Sequence, residues 1–128
     1  MKSGAKFNSV AVAMIVSLAL TGCESIQPNG TVPQEYKSGQ AVFHKICANC
    51  HGPDADGSIK RAPALTQSIY FKGNFDDRKI RRTILKGSPS GAMPSQKNRV
   101  EKSEVKEIVK YLRYLQKEKR GEDQTMSG

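Results

Sequence analysis

The chain has 128 residues and a formal net charge of +9, with 21 Lys and Arg against 12 Asp and Glu. That length leaves room for one small domain with a limited protein-only core, made leaner by the absence of Trp and the presence of only four Phe. The positive balance suits an acidic protein surface first and anionic lipid headgroups second, or serves solubility alone; the export signal of the first residues speaks against nucleic acid.

Met1 to Lys6 carries two lysines and is followed by an apolar run from Val10 to Leu20. A charged start and a short apolar run fit a secretory signal, and the run is short for a membrane span. Leu20-Thr21-Gly22-Cys23 resembles the bacterial lipoprotein box. That resemblance implies removal of residues 1–22, a diacylglycerol on Cys23 and a domain held outside the cytoplasm at a bacterial membrane. An ordinary signal peptide with an incidental Cys, or an uncleaved anchor, is the alternative. Loss of Lys2 and Lys6 with the leader lowers the net charge by two. Residues 23–34 contain Pro28, Asn29, Gly30 and Pro33 and read as a flexible tether. The folded domain is expected over 35–120.

Tyr36, Gly39, Phe43, Ile46 and Cys47 recur at three- and four-residue spacings and predict a helix face. Gly39 on that face costs helix stability unless another group must approach closely.

The helix runs into Cys47-Ala48-Asn49-Cys50-His51. Two thiols three residues apart with a following His is the attachment pattern of c-type haem. Each thiol can form a thioether with a vinyl group, and His51 then ligates the iron. Three rivals use the same residues. A thioredoxin-type dithiol wants a βαβ frame, which the flanking sequence lacks. A zinc site wants four ligands, and only Cys23 and His44 remain to complete one. A Cys47–Cys50 disulfide closes a loop too small to stabilise much. Export suits haem attachment, and with Cys23 lipidated no thiol is left over.

Asp76 or Asp77 is set to cap a helix carrying Ile80, Ile84 and Leu85 and ending at Gly87, with Arg78, Lys79, Arg81, Arg82 and Lys86 on its other face. That face is ordinarily solvated; a haem propionate or a partner is the other use for it. Gly87-Ser88-Pro89-Ser90-Gly91-Ala92-Met93-Pro94 is a loop by its turn chemistry. If the iron takes a second axial ligand, the usual choices are Met and His. His44 lies three residues before Cys47, on the attachment side, and reads as a surface helix residue. Met1 and Met14 leave with the signal, and Met126 falls in the tail. Met93 remains; its alternative role is core packing. Val105, Ile108, Val109, Leu112 and Leu115 then mark the face of a long helix, with Ser103 as N-cap, Glu104 in the first turn and Gly121 as its stop. Residues 121–128 read as a disordered tail.

In this order the elements resemble a class I monohaem cytochrome c over roughly Tyr36 to Gln116. The resemblance implies a small all-α, orthogonal helical domain around one covalently bound haem c. It implies that Gly39 and Tyr111 meet where the first and last helices cross. Arg61-Ala62-Pro63-Ala64-Leu65 resembles the loop beside the proximal His, so the Pro63 carbonyl is expected to accept a hydrogen bond from His51. No Trp is available for a propionate. The function so implied is that of a membrane-anchored electron carrier, not itself an enzyme, exchanging electrons with redox proteins through a His51/Met93 iron. Two alternatives stand beside it: an electron-transfer subunit of a dehydrogenase or oxidase, and an open-site haem sensor.

Overall fold

The structure is a computed structural model and describes residues 32–57 and 62–126. The expected signal peptide, lipid-acceptor Cys23 and most of the tether lie outside the described residues. The domain is all-α, with no strand among the described residues. A 3-10 turn (Gln34–Tyr36) leads into α1 (Lys37–Ile46), which is followed at once by the short α2 (Ala48–His51). A second 3-10 turn (Ser68–Tyr70) precedes α3 (Asp77–Lys86), and α4 (Lys102–Met126) closes the domain.

Packing of α1 on α4 organises the core. Phe43, Val105, Ile108 and Tyr111 are fully buried, and Ile80 and Ile84 of α3 join them. Phe43 and Tyr111 meet edge to face with centroids 5.6 Å apart, while Tyr36 stacks on Tyr114 at 4.5 Å. The crossing closes at Gly39. A Cβ there would overlap the Glu107 carbonyl and lie 2.8 Å from Tyr111 Cβ, so the two backbones touch. The helix cost of this glycine is thus offset by close approach.

The helix ends follow local chemistry. Asp76 Oδ1 accepts from Lys79 N at 2.8 Å and caps α3. That bond, first, and the neighbouring Arg78 hold the Asp76 carboxyl below its ordinary range. Gly87 ends α3 at φ +85°, a conformation that favours glycine. Two expected boundaries differ. Ser103 is not the cap of α4: the helix begins at Lys102, and Glu104 Oε2 reaches back to accept from Glu101 N at 2.7 Å, as in a capping box. Nor does Gly121 stop α4, which runs on to Met126. A glycine at an exposed helical position costs only about 1 kcal/mol, too little to end a helix already nucleated.

On its other flank α4 carries a polar clasp. Arg113 donates to Asp77 Oδ1 (2.9 Å), to the carbonyls of Tyr70 (2.8 Å) and Phe75 (2.6 Å), and to Gln116 Oε1 (2.6 Å). Gln116, 3 % exposed, donates from Nε2 to the carbonyls of Leu65 (2.8 Å) and Tyr70 (3.1 Å). Two side chains thereby hold the segment from Leu65 to Phe75 and the start of α3.

Two predictions follow from the packing. Gly39→Ala should destabilise the domain by about 1–3 kcal/mol through overpacking, whereas Gly121→Ala, whose added methyl meets nothing within 4 Å, should be neutral or stabilising by up to about 1 kcal/mol. Urea midpoints of the two variants, moving in opposite directions, check the crossing. Arg113→Ala should cost about 2–4 kcal/mol, because Asp77 and the Phe75 carbonyl lose their partner and the Tyr70 carbonyl keeps only Gln116; Arg113→Lys should recover only part, since one ammonium cannot span the fork.

Candidate functional site

Cys47, Cys50 and His51 sit on one helical turn. Cys50 N and His51 N both bond to the Cys47 carbonyl, at 3.1 and 3.0 Å. Spacings of three and four residues put all three side chains on neighbouring positions of that turn. Cys47 is half-buried, Cys50 is exposed, and no disulfide joins them. Burial pushes the Cys47 thiol up to about 12, with Arg99 pulling the other way. A thiol so reluctant to ionise is a poor dithiol nucleophile, which removes support from the thioredoxin-type reading. Among the described residues no group of three or more His, Cys, Asp or Glu side chains is placed to hold a metal.

His51 is buried at 6 % exposure, and its Nδ1 lies 3.1 Å from the Pro63 carbonyl. A carbonyl only accepts, so Nδ1 carries the proton and Nε2 keeps its lone pair. Burial lowers the imidazole pKa below its ordinary value, with the Pro63 bond acting in the opposite sense. The ring is therefore neutral and oriented, the state a metal ligand requires.

Main-chain closure brings Pro63 there. Gly57 N bonds to the His51 carbonyl at 2.8 Å, and Leu65 N to the Ala55 carbonyl at 2.7 Å. Gly57 (φ +74°) lies so close to the strap that a Cβ would be 2.7 Å from both the Ala62 oxygen and the Ala64 nitrogen. Ala55, fully buried, takes φ +57° without being glycine. His44 is half-buried rather than a surface residue, and its Nε2 bonds to the Pro53 carbonyl at 3.1 Å. It thus ties α1 to the loop that follows His51.

Met93 is half-buried against the core. Its loop is closed by Ser88, whose N donates to the Met93 carbonyl and whose Oγ accepts from Met93 N, both at 2.9 Å. Beyond Met93, Ser95 Oγ donates to the Leu85 carbonyl (2.7 Å), and Gln96 N to that of Ile84 (2.8 Å). Buried Gln96 also donates to the Pro94 carbonyl (3.0 Å) and accepts from Arg99 Nη1 (3.1 Å). Sequence reading misses Ser88, Ser95, Gln96 and Arg99. The available signal is the run of hydroxyl and amide side chains flanking a loop Met.

No helix among the described residues is long and apolar enough to cross a membrane. No solved structure matches the chain. A family model described as cytochrome C oxidase, cbb3-type, subunit III matches residues 34–112. The cbb3-type cytochrome c oxidase subunit FixP of Rhizobium meliloti (strain 1021) is 33% identical over 84 residues, covering 65% of this chain and 28% of the relative. Subunit CcoP of Rhodobacter capsulatus is 33% identical over 100 residues, 70% of this chain and 33% of the relative. Subunit CcoP of Rubrivivax gelatinosus is 40% identical over 81 residues, 62% of this chain and 26% of the relative. The chain thus spans a third or less of the length of these relatives. The family match takes in α1 through the first half of α4, with Cys47 to His51 and Met93 inside it, and by that match the chain belongs to the cytochrome c family of cbb3-type oxidase subunit III.

Proposed function

We propose that this chain is a c-type cytochrome domain that passes single electrons within, or to, a cbb3-type oxidase assembly. The comparisons favour service to an oxidase over the free carrier that the sequence suggests first, because the matched relatives are oxidase subunits. The observation that carries the reading is the bond from His51 of the Cys47–His51 motif to the Pro63 carbonyl. It supplies a neutral, fixed imidazole directly after two unbridged thiols. The residues present fit one covalent haem c: Cys47 and Cys50 would anchor it through thioethers, and His51 and Met93 would ligate its iron. The sequence holds one such motif.

Bound there, haem supplies reversible one-electron chemistry at its iron. The protein's part is positional. The Pro63 carbonyl keeps the His51 ring in one tautomer and raises its basicity as a ligand. Ser88 and Gln96 fix the main chain on either side of Met93 and so present its thioether, a ligand that favours the reduced state. Cys47 and Met93 are half-buried, whereas Cys50 is exposed. We further propose that Cys23 is the lipid-bearing first residue of the exported protein and that residues 23–34 tether the domain beside its membrane partners, raising their encounter frequency.

Mass spectrometry of the mature protein should show one haem adduct on the Cys47–Cys50 peptide and a diacylated Cys23. A haem-free peptide refutes the cofactor, and an unmodified Cys23 refutes the anchor. Met93→Ala should keep the haem, abolish the red-region sulfur–iron band of the oxidised protein, and allow carbon monoxide to bind tightly on reduction. Wild-type protein that already lacks the band and binds carbon monoxide would instead be an open-site haem protein.

A further inference from the structure

The family match ends at residue 112, but α4 continues to Met126. Beyond the match the helix forms one wall of a cleft of about 520 Å³, lined by Lys119 of α4 and by Asp56, Thr66, Ser68, Ile69 and Phe71. No residue of α3 or of the Met93 loop lines it. Among the described residues Ile69 is the one large hydrophobic side chain that is exposed, at 58 %. It does not sit on a loose loop. Tyr70 N bonds to the Gln67 carbonyl (2.9 Å) and Phe71 N to that of Ser68 (3.1 Å), which closes the 3-10 turn. Arg113 and Gln116 hold the Tyr70 carbonyl from α4. The turn is therefore fixed against the helix, with Ile69 standing out of it.

One exposed aliphatic group needs no explanation by itself. Its setting supplies one. Lys72 follows Phe71 in the chain, Lys117 and Arg120 stand one turn apart on α4, and all three are exposed. The Arg120 guanidinium lies 4.9 Å from the Phe71 ring centroid, so an aromatic face and a charge share this surface. Asp56 and Lys119 are each already engaged. Glu118 falls four residues after Tyr114, whose ring packs on Tyr36, and so on the other side of α4 from Arg120. Glu122 and Asp123 follow only after Gly121. An aliphatic tip within a rim of outward cations matches an anionic bilayer, whose headgroups take the charges and whose acyl boundary takes the tip.

We propose that the Ile69 turn and the end of α4, with Lys72, Lys117 and Arg120, form a docking face for an anionic membrane surface. The inference deepens the function given above and rests on its membrane tether. Residues 23–34 span at most about 40 Å. They keep the face within reach of the bilayer at an effective concentration near the millimolar range. At that concentration a small contact suffices, whereas a free protein partner needs a larger apolar patch than one Ile offers. The docked domain leaves α3 and the Met93 loop uncovered, since neither lines the cleft.

The test uses the whole chain from residue 23 with its haem and with Cys23→Ser, so that binding is read without the anchor. It should sediment with vesicles of equimolar phosphatidylcholine and phosphatidylglycerol at millimolar lipid, and not with vesicles of phosphatidylcholine alone. I69S should lower the partition coefficient about fivefold or more, and K72E/K117E/R120E about tenfold or more. K37E/K102E/K106E makes the same change in net charge away from the cleft and should lower it less than about threefold. A nitroxide on Ile69→Cys, in a chain whose other two thiols are taken up by haem, should lose access to a water-soluble nickel complex and gain access to oxygen when vesicles are added. The same label on Ser103→Cys should not. Equal loss in the two charge variants, wild-type partition of I69S, or a label at 69 that stays in water overturns the proposal. So does a dimer in sedimentation velocity that I69S dissolves, which would make the face a self-contact. A label immobilised only in membranes that contain the oxidase overturns it too, by making the face a protein contact. An unmodified Cys23 in the native protein removes the tether and the docking role with it; failed vesicle binding alongside a lipidated Cys23 removes the face alone.

Discussion

The backbone contact between α1 and α4 at Gly39 sets the geometry of everything else in this domain. Gly39 and Phe43 face Glu107 and Tyr111, and the helices meet without a side chain between them at the closest point. Because α1 runs directly into α2, the position of that contact fixes where Cys47, Cys50 and His51 emerge. A rigid crossing one helical stretch away is thus the origin of the site's placement. Interiors packed at crystal density transmit such constraints with little slack.

The same helix α4 solves a second problem. The segment from Leu65 to Phe75 forms only one short 3-10 turn, so some of its main-chain carbonyls must find donors outside it. Arg113 and Gln116 supply the donors. A guanidinium with five fixed donors can serve an aspartate and two carbonyls at once, which explains why this position calls for Arg. The clasp also anchors Leu65, two residues beyond Pro63, so the stretch around Pro63 is held from both ends: by Gly57 against His51 and by Gln116 against α4.

Much of this was legible in the sequence, and the limits have a physical pattern. Periodicity located α1, α3 and α4, Asp76 and Gly87 marked the ends of α3, and a costly Gly39 announced a close approach. The candidate site residues Cys47, Cys50, His51 and Met93 declared themselves by side-chain chemistry. What escaped were partnerships with main-chain carbonyls, which every residue carries and no sequence distinguishes. Arg113 and Gln116 each fall four residues after a core position, Val109 and Leu112, in apolar register; polar residues there were the clue to a buried network. His44 was hidden in the same way, its acceptor being the carbonyl of Pro53. Ala55 was harder still, because nothing in an alanine signals positive φ. The start of α4 was misread because Ser is the commoner cap, whereas the capping-box contact comes from Glu104.

The two sides of the candidate site are held by different means, with a consequence for how such a domain can vary. Around His51 the fastening is main chain: Gly57 to His51, Leu65 to Ala55, and His51 to the Pro63 carbonyl. No single side-chain substitution deletes those acceptors. Around Met93 main-chain bonds are joined by side-chain ones, from the Ser88 and Ser95 hydroxyls and the Gln96 amide. Each of these can be lost by one substitution, at about 1 kcal/mol for a typical hydrogen bond. The geometry around His51 is therefore set by the fold, while the Met93 loop is the part that sequence can retune without unmaking the domain.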